Sequence, residues 1–191
     1  MKYKPTDYID KILIPGIEKV KEVEPFFCFA IISCSIEFLG GFYDEIEFGE
    51  YEPELPYNRF KKGMELFENT KYQSIIGDLY YGLRCGFAHL GKPSHKIALT
   101  TNAELKSGDS HLCNIGSKGE NECILLVAEQ FIEDFKTACM ILKKNIRDKS
   151  LVNESKANST YSTTISNDNG MYSGGTFTYQ VHVKNSMRNI K

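Results

Sequence analysis

The sequence predicts a mainly α fold, a helical bundle with small β additions, and three observations carry that prediction. Pro25 to Leu39 is a near-continuous apolar run, relieved only by Ser33, Ser35 and Glu37 among its later positions. Tyr72, Ile75, Ile76, Leu79, Leu83 and Phe87 recur at helical spacing and form one stripe. Ile124, Val127, Ala128, Phe131, Phe135, Ala138, Leu142 and Ile146 make the apolar face of a long helix from about Glu122 to Arg147. A chain of 191 residues, 41% hydrophobic and 25% charged, is long enough to bury a core of its own.

Taken in order, Ile9, Ile12, Leu13, Ile17 and Val20 predict helical structure over residues 7–23, interrupted at Pro15-Gly16. Pro25 opens the second helix, Phe26 to Leu39, and Gly40-Gly41 is expected to end it as a C-terminal glycine cap. Its apolar run is shorter than a bilayer span and carries Glu37, so a buried bundle helix is expected rather than a membrane segment. Asp44, Glu45, Glu47, Glu50, Glu52 and Glu54 follow with no basic residue among them. With Pro53 and Pro56 they read as a solvated acidic connector. Tyr57 to Phe67 resumes a helix through Phe60 and Met64. Asn69-Thr70 caps the striped helix, and Gly91 with Pro93 marks its end.

Residues 94–120 lose the helical period. Lys96 to Thr101 and His111 to Ile115 are expected to pair as a short hairpin over the bundle. After Lys149 the composition turns to Ser, Thr, Asn and Gly. Residues 161–166, a turn at 167–170 and residues 176–183 predict a C-terminal β-hairpin or a flexible tail. The expected organisation is thus a helical domain, 1–149, and an extension, 150–191.

Lys+Arg 23 against Asp+Glu 25 leave a formal charge of −2, so any nucleic-acid surface must be local. The first residues do not read as a secretory leader, which predicts a cytoplasmic protein with six reduced cysteines; no CxxC pair occurs. No membrane association is expected. His89, His95, His111 and Cys113 are the residues a metal might gather, but their spacing fits no ligand pattern, so neither metal nor cofactor is predicted.

The chemistry concentrates in Arg84-Cys-Gly-Phe-Ala-His89. Five residues along a regular helix turn the side chains about 140° apart. Arg84 and His89 therefore converge only through a loosened last turn or a second subunit. Glu37, inside an apolar helix, needs a cation, and Arg84 is its natural partner; Asp78 is the other nearby carboxylate. Such a pair is either purely structural, with His89 as a capping group, or part of a phosphate-handling site. Gly82 and Gly86 permit close backbone approach, to a twin helix or within the chain.

Arg-x4-His at the end of a bundle helix resembles the HEPN superfamily, and residues 8–148 are similar to it in architecture. The resemblance implies a HEPN-like bundle that dimerises so that two Arg-His pairs face one another, many members being metal-independent ribonucleases. On that footing Arg84, His89 and Glu37 are the expected catalytic residues, with RNA as a partner. A histidine titrates near neutrality and suits proton transfer at a 2′-hydroxyl, while arginine holds a phosphate through paired hydrogen bonds. Cys85 stands where nucleolytic members usually carry a polar residue. Gly91 stands where a toxin branch carries the tyrosine that accepts nucleotide transfer. The alternative expectation is a non-catalytic dimeric protein-interaction module of the same fold.

Overall fold

α3 (Pro25–Gly40) is the axis of the computed structural model, which describes residues 2–94, 96–116, 122–150, 152–164 and 176–177. Its side chains Ile32, Ile36 and Leu39 are fully buried, each contributing about 1.5–3 kcal/mol through the hydrophobic effect. Ser33 and Ser35 are buried too, and donate to the Ala30 and Ile31 carbonyls at 2.9 and 2.7 Å, so neither hydroxyl is left unsatisfied. With the 3₁₀ turn Gly41–Tyr43 the helical run reaches 19 residues, which corrects the expectation that it is too short to span a bilayer. Its apolarity is accounted for by packing: α2 (Ile14–Val23), α4 (Leu55–Met64) and α8 (Ala128–Arg147) lie against it.

The first helix does not break at Pro15. α1 (Pro5–Tyr8) runs through a π-helical turn, Ile9–Leu13, into α2. Proline clashes with the carbonyl four residues back and lacks an N–H. The wider π turn immediately before it, with Ile14 N–H bonding the Ile9 carbonyl, is where the chain accommodates that clash.

Gly40 and Gly41 also differ from expectation. Gly41 has φ −61°, an ordinary right-handed value, so it is not a left-handed cap. Gly40 serves close approach instead: a Cβ there would lie 1.7 Å from the Arg59 carbonyl oxygen. One on Gly63 would lie 2.0 Å from that of Ile36. These two glycines bring the α3 and α4 backbones together and set Arg59 beside the end of α3.

The striped segment breaks once, at Ile75, and is helical without interruption from Ile76 to Leu90. α5 (Lys71–Ser74) ends at Ile75, where φ −122° and ψ 13° leave the helical region. Asn69 does cap it, its side chain accepting from Lys71 N–H at 3.2 Å. α6 (Ile76–Asp78) follows, then a π-helical turn, Leu79–Arg84, and α7 (Cys85–Leu90). Gly91, at φ 68°, ends α7 in the left-handed conformation expected of it.

Two strand expectations are corrected. Cys123–Val127 is β4, not the first turns of the long helix, which starts at Ala128. Ile124 to Val127 are four consecutive buried apolar residues, the pattern of a strand covered on both faces. β2 (Ile97–Thr100) and β3 (Asn114–Ile115) do not pair with each other. They flank β4, parallel and antiparallel respectively. An apolar central strand offers each more buried surface than a hairpin lying on top of the bundle.

In the C-terminal extension, α9 (Glu154–Ala157) is capped by Asn153, whose side chain accepts from Lys156 N–H. β5 (Tyr161–Thr164) pairs antiparallel with both β1 (Lys2–Tyr3) and β6 (Thr176–Phe177). The expected turn at 167–170 and the rest of the second strand lie outside the described residues.

Candidate functional site

α3 and the π turn place Glu37 against Arg84, as their sequence positions suggested. The Arg84 Nε donates to Glu37 Oε2 at 2.9 Å, and Nη2 lies 2.7 Å from the same oxygen. Both side chains keep about a fifth of their surface exposed. Burial opposes the charge on the guanidinium, but the Glu37 carboxylate outweighs it and holds Arg84 more firmly protonated than usual. Its Nη1 has no acceptor among the described residues. The guanidinium carbon also stands 5.8 Å from the Tyr80 ring centre.

Arg84 and Glu37 line a cavity of about 290 Å³ together with Cys34, Phe38, Phe48, Gly49 and Arg59. Arg59 was not singled out in the sequence. It sits on α4, its side chain only 8% exposed. Nε and Nη2 donate to the two Asp44 oxygens at 2.7 and 2.9 Å, and Nη2 also reaches the Ile46 carbonyl. On the other side of Asp44, the fully buried Lys156 ammonium donates to Asp44 Oδ1 at 2.7 Å and to the Gly41 and Asp44 carbonyls at 2.6 and 2.8 Å. The Arg59 and Lys156 cations stand 5.3 and 5.0 Å from the Phe48 ring centre.

Asp44 therefore corrects the expectation of a wholly solvated acidic connector: this one carboxylate bridges two buried cations. Burial would raise its pKa, but hydrogen bonds from Arg59 and Lys156 outweigh that and lower it below the usual aspartate value. Glu45, Glu47, Glu50, Glu52 and Glu54 are exposed, as the sequence suggested.

His89 is elsewhere. It is exposed on the last turn of α7 and makes no hydrogen bond or ion pair among the described residues. The structure does not join Arg84 to His89 within one chain. Asp78, the other carboxylate considered, pairs with Lys96 at 3.2 Å on the surface. Gly82 and Gly86 accommodate the chain's own return: a Cβ on Gly82 would meet Ile97 at 2.8 Å, and one on Gly86 the Lys92 carbonyl at 2.7 Å.

A second polar cluster also escaped the sequence. His111, buried beside Tyr72, accepts the Val127 N–H on Nδ1 at 2.9 Å. Nδ1 is then unprotonated and Nε2 carries the hydrogen, donating to the Tyr72 hydroxyl at 2.7 Å. Tyr72 in turn donates to Asp134 Oδ2 at 2.8 Å. Burial foremost, with the Asp134 charge beside it, pushes the Tyr72 hydroxyl far above the usual tyrosine range. This engagement removes His111 from the metal set weighed above. Among the described residues no cluster fit to hold a metal ion occurs, and His95 lies outside them.

Comparison of the chain with protein-family models, with curated proteins and with solved structures finds no match in any of the three.

Proposed function

We propose that this chain is a HEPN-like, metal-independent endoribonuclease or RNA-binding dimer of the cytoplasm, using Arg84, His89 and Glu37. The observation that carries the reading is the state of Arg84. Glu37 fixes one edge of its guanidinium on the wall of a cavity, and Nη1 has no acceptor among the described residues. A guanidinium so oriented is suited to hold a scissile phosphate and stabilise the charge that develops on it. The exposure of His89 adds support, because an imidazole that must reach a substrate cannot be engaged in the core.

α7 is regular from Cys85, so one chain points Arg84 and His89 in different directions and a second copy supplies the facing histidine. One His89 takes the proton from the RNA 2′-hydroxyl, whose oxygen attacks phosphorus. The other His89 protonates the departing 5′-oxygen as the P–O5′ bond breaks, leaving a 2′,3′-cyclic phosphate and a 5′-hydroxyl. The test is incubation of single-stranded RNA with the purified chain in excess chelator. Wild-type protein cuts or binds RNA. Arg84→Ala loses both, His89→Ala loses cleavage, and the helical circular dichroism of both variants is unchanged. Variants that match wild type on RNA would overturn the reading.

Val23, Phe27 and Leu90 are 85%, 53% and 66% exposed, an observation that favours the second reading, a non-catalytic interaction module. A stable protein complex that survives His89→Ala, without RNA cleavage, would select it.

A further inference from the structure

Positive charge exceeds negative in the cluster on and behind the cavity wall, where Arg59, Arg84 and Glu37 are the charged residues that line the cavity itself. Arg59, Arg84 and Lys156 are three cations set against two carboxylates, Asp44 and Glu37. The surplus is local, since the remaining carboxylates of the acidic loop are exposed, do not line the cavity and are screened by solvent.

Hydrogen bonding is equally incomplete. Arg59 spends Nε and Nη2 on Asp44 and the loop carbonyls, and its Nη1 has no acceptor among the described residues. An arginine more than nine-tenths buried with an idle nitrogen is unusual, because buried donors are nearly always satisfied. Arg84, on the same cavity, has an idle Nη1 as well. The two arginines whose Nη1 has no acceptor among the described residues line, with Phe38 and Phe48, one cavity of about 290 Å³, room for one small ligand.

We infer that this cavity binds a phosphate group, with Arg59 and Arg84 donating to its oxygens through Nη1 and Phe48 walling the site. The inference rests on the reading of Arg84 as a phosphate-holding residue and adds Arg59 as the second. The phosphate belongs either to an RNA chain or to a free nucleotide. Asp44 and Lys156 are positioning residues: they fix the Arg59 fork without touching the ligand. Cys34, exposed on the cavity wall, is the reporter. Desolvation beside the cavity raises its thiol pKa, so labelling is run in alkaline buffer, where more of it is thiolate.

The test titrates the full chain with inorganic phosphate, adenosine 5′-monophosphate and a short single-stranded RNA. Calorimetry and iodoacetamide labelling, mapped by peptide mass, are the readouts. Phosphate and the nucleotide both bind, and the nucleotide shields Cys34 while Cys123 labelling stays unchanged. Arg59→Lys, which keeps the charge and loses the fork, weakens binding about tenfold or more. Cys34→Phe fills the cavity, leaves every ion pair intact, and abolishes nucleotide binding with no fall in the unfolding midpoint. Absence of phosphate and nucleotide binding, or binding that Arg59→Lys and Cys34→Phe leave unchanged, would overturn the inference. If RNA is still cut in a His89-dependent way under that result, the ribonuclease reading survives alone. If phosphate binds as stated and RNA is neither cut nor bound, the cavity stands and the ribonuclease reading falls. Tight RNA binding with weak nucleotide binding assigns the phosphate to the polymer, and comparable affinities assign it to a free nucleotide.

Discussion

The Tyr72–His111–Asp134 chain and the Arg59–Asp44–Lys156 cluster both tie distant segments together, yet only in the first does every side-chain donor find an acceptor among the described residues. In the first, both imidazole nitrogens are engaged and the tyrosine hydroxyl both accepts and donates. It locks the loop before β3, the end of β4 and α8 into one arrangement. In the second, together with the neighbouring Arg84–Glu37 pair, three cations meet two carboxylates, and the Nη1 atoms of Arg59 and Arg84 have no acceptor among the described residues. A network with nothing left to offer stabilises a fold; one with donors and charge to spare is poised for a ligand. Buried polarity alone does not mark a functional site. Incomplete satisfaction beside accessible space does.

Removing Asp44 breaks the comparison most severely. Asp44→Ala leaves Arg59 and Lys156 buried without their shared counter-charge, and a cost of about 3–5 kcal/mol is expected from denaturant unfolding. A loss below about 1 kcal/mol would show that the two cations are solvated after all. Tyr72→Phe removes the middle of the closed chain and strands the His111 Nε2–H. The same measurement should show a loss of about 1–3 kcal/mol, with phosphate binding unchanged. A change in phosphate affinity there would erase the distinction between the two clusters.

The smallest effect is a dependence on pH. The Asp44 carboxyl is depressed in the folded protein relative to an unfolded value near 3.8. Its contribution is therefore complete above that value and is lost as pH falls through the folded pKa. Unfolding free energies of wild type and Asp44→Asn, measured over a pH series, should differ most near neutrality and converge below about pH 3.8. A constant gap would place the stabilisation elsewhere.

Much of the fold was legible because apolar periodicity reports burial directly. The α3 run, the α8 face, the Asn69 cap and the Gly91 stop all follow from local chemistry. What misled is equally specific. Ile124 to Val127 continue the apolar phase of α8, and nothing local separates a buried strand from a helical turn. The π turns at Ile9–Leu13 and Leu79–Arg84 leave no compositional trace. For the site, Glu37–Arg84 was legible because a carboxylate in an apolar helix demands a cation. Arg59 was not, since an arginine flanking an apolar stripe reads the same whether exposed or buried. Its partner Asp44 was one acid among six, and Lys156 comes from the extension, far along the chain. His111 was considered only as a metal ligand, because its hydroxyl and backbone partners are distant in sequence.

The chain contains four arginines, at 59, 84, 147 and 188, so their guanidinium nitrogens can be followed one by one by nuclear magnetic resonance. Titration with inorganic phosphate is predicted to shift the Arg59 and Arg84 side-chain signals together while Arg147 and the His111 ring stay still. Shifts at Arg147 alone, or uniform small shifts at all four, would contradict the account.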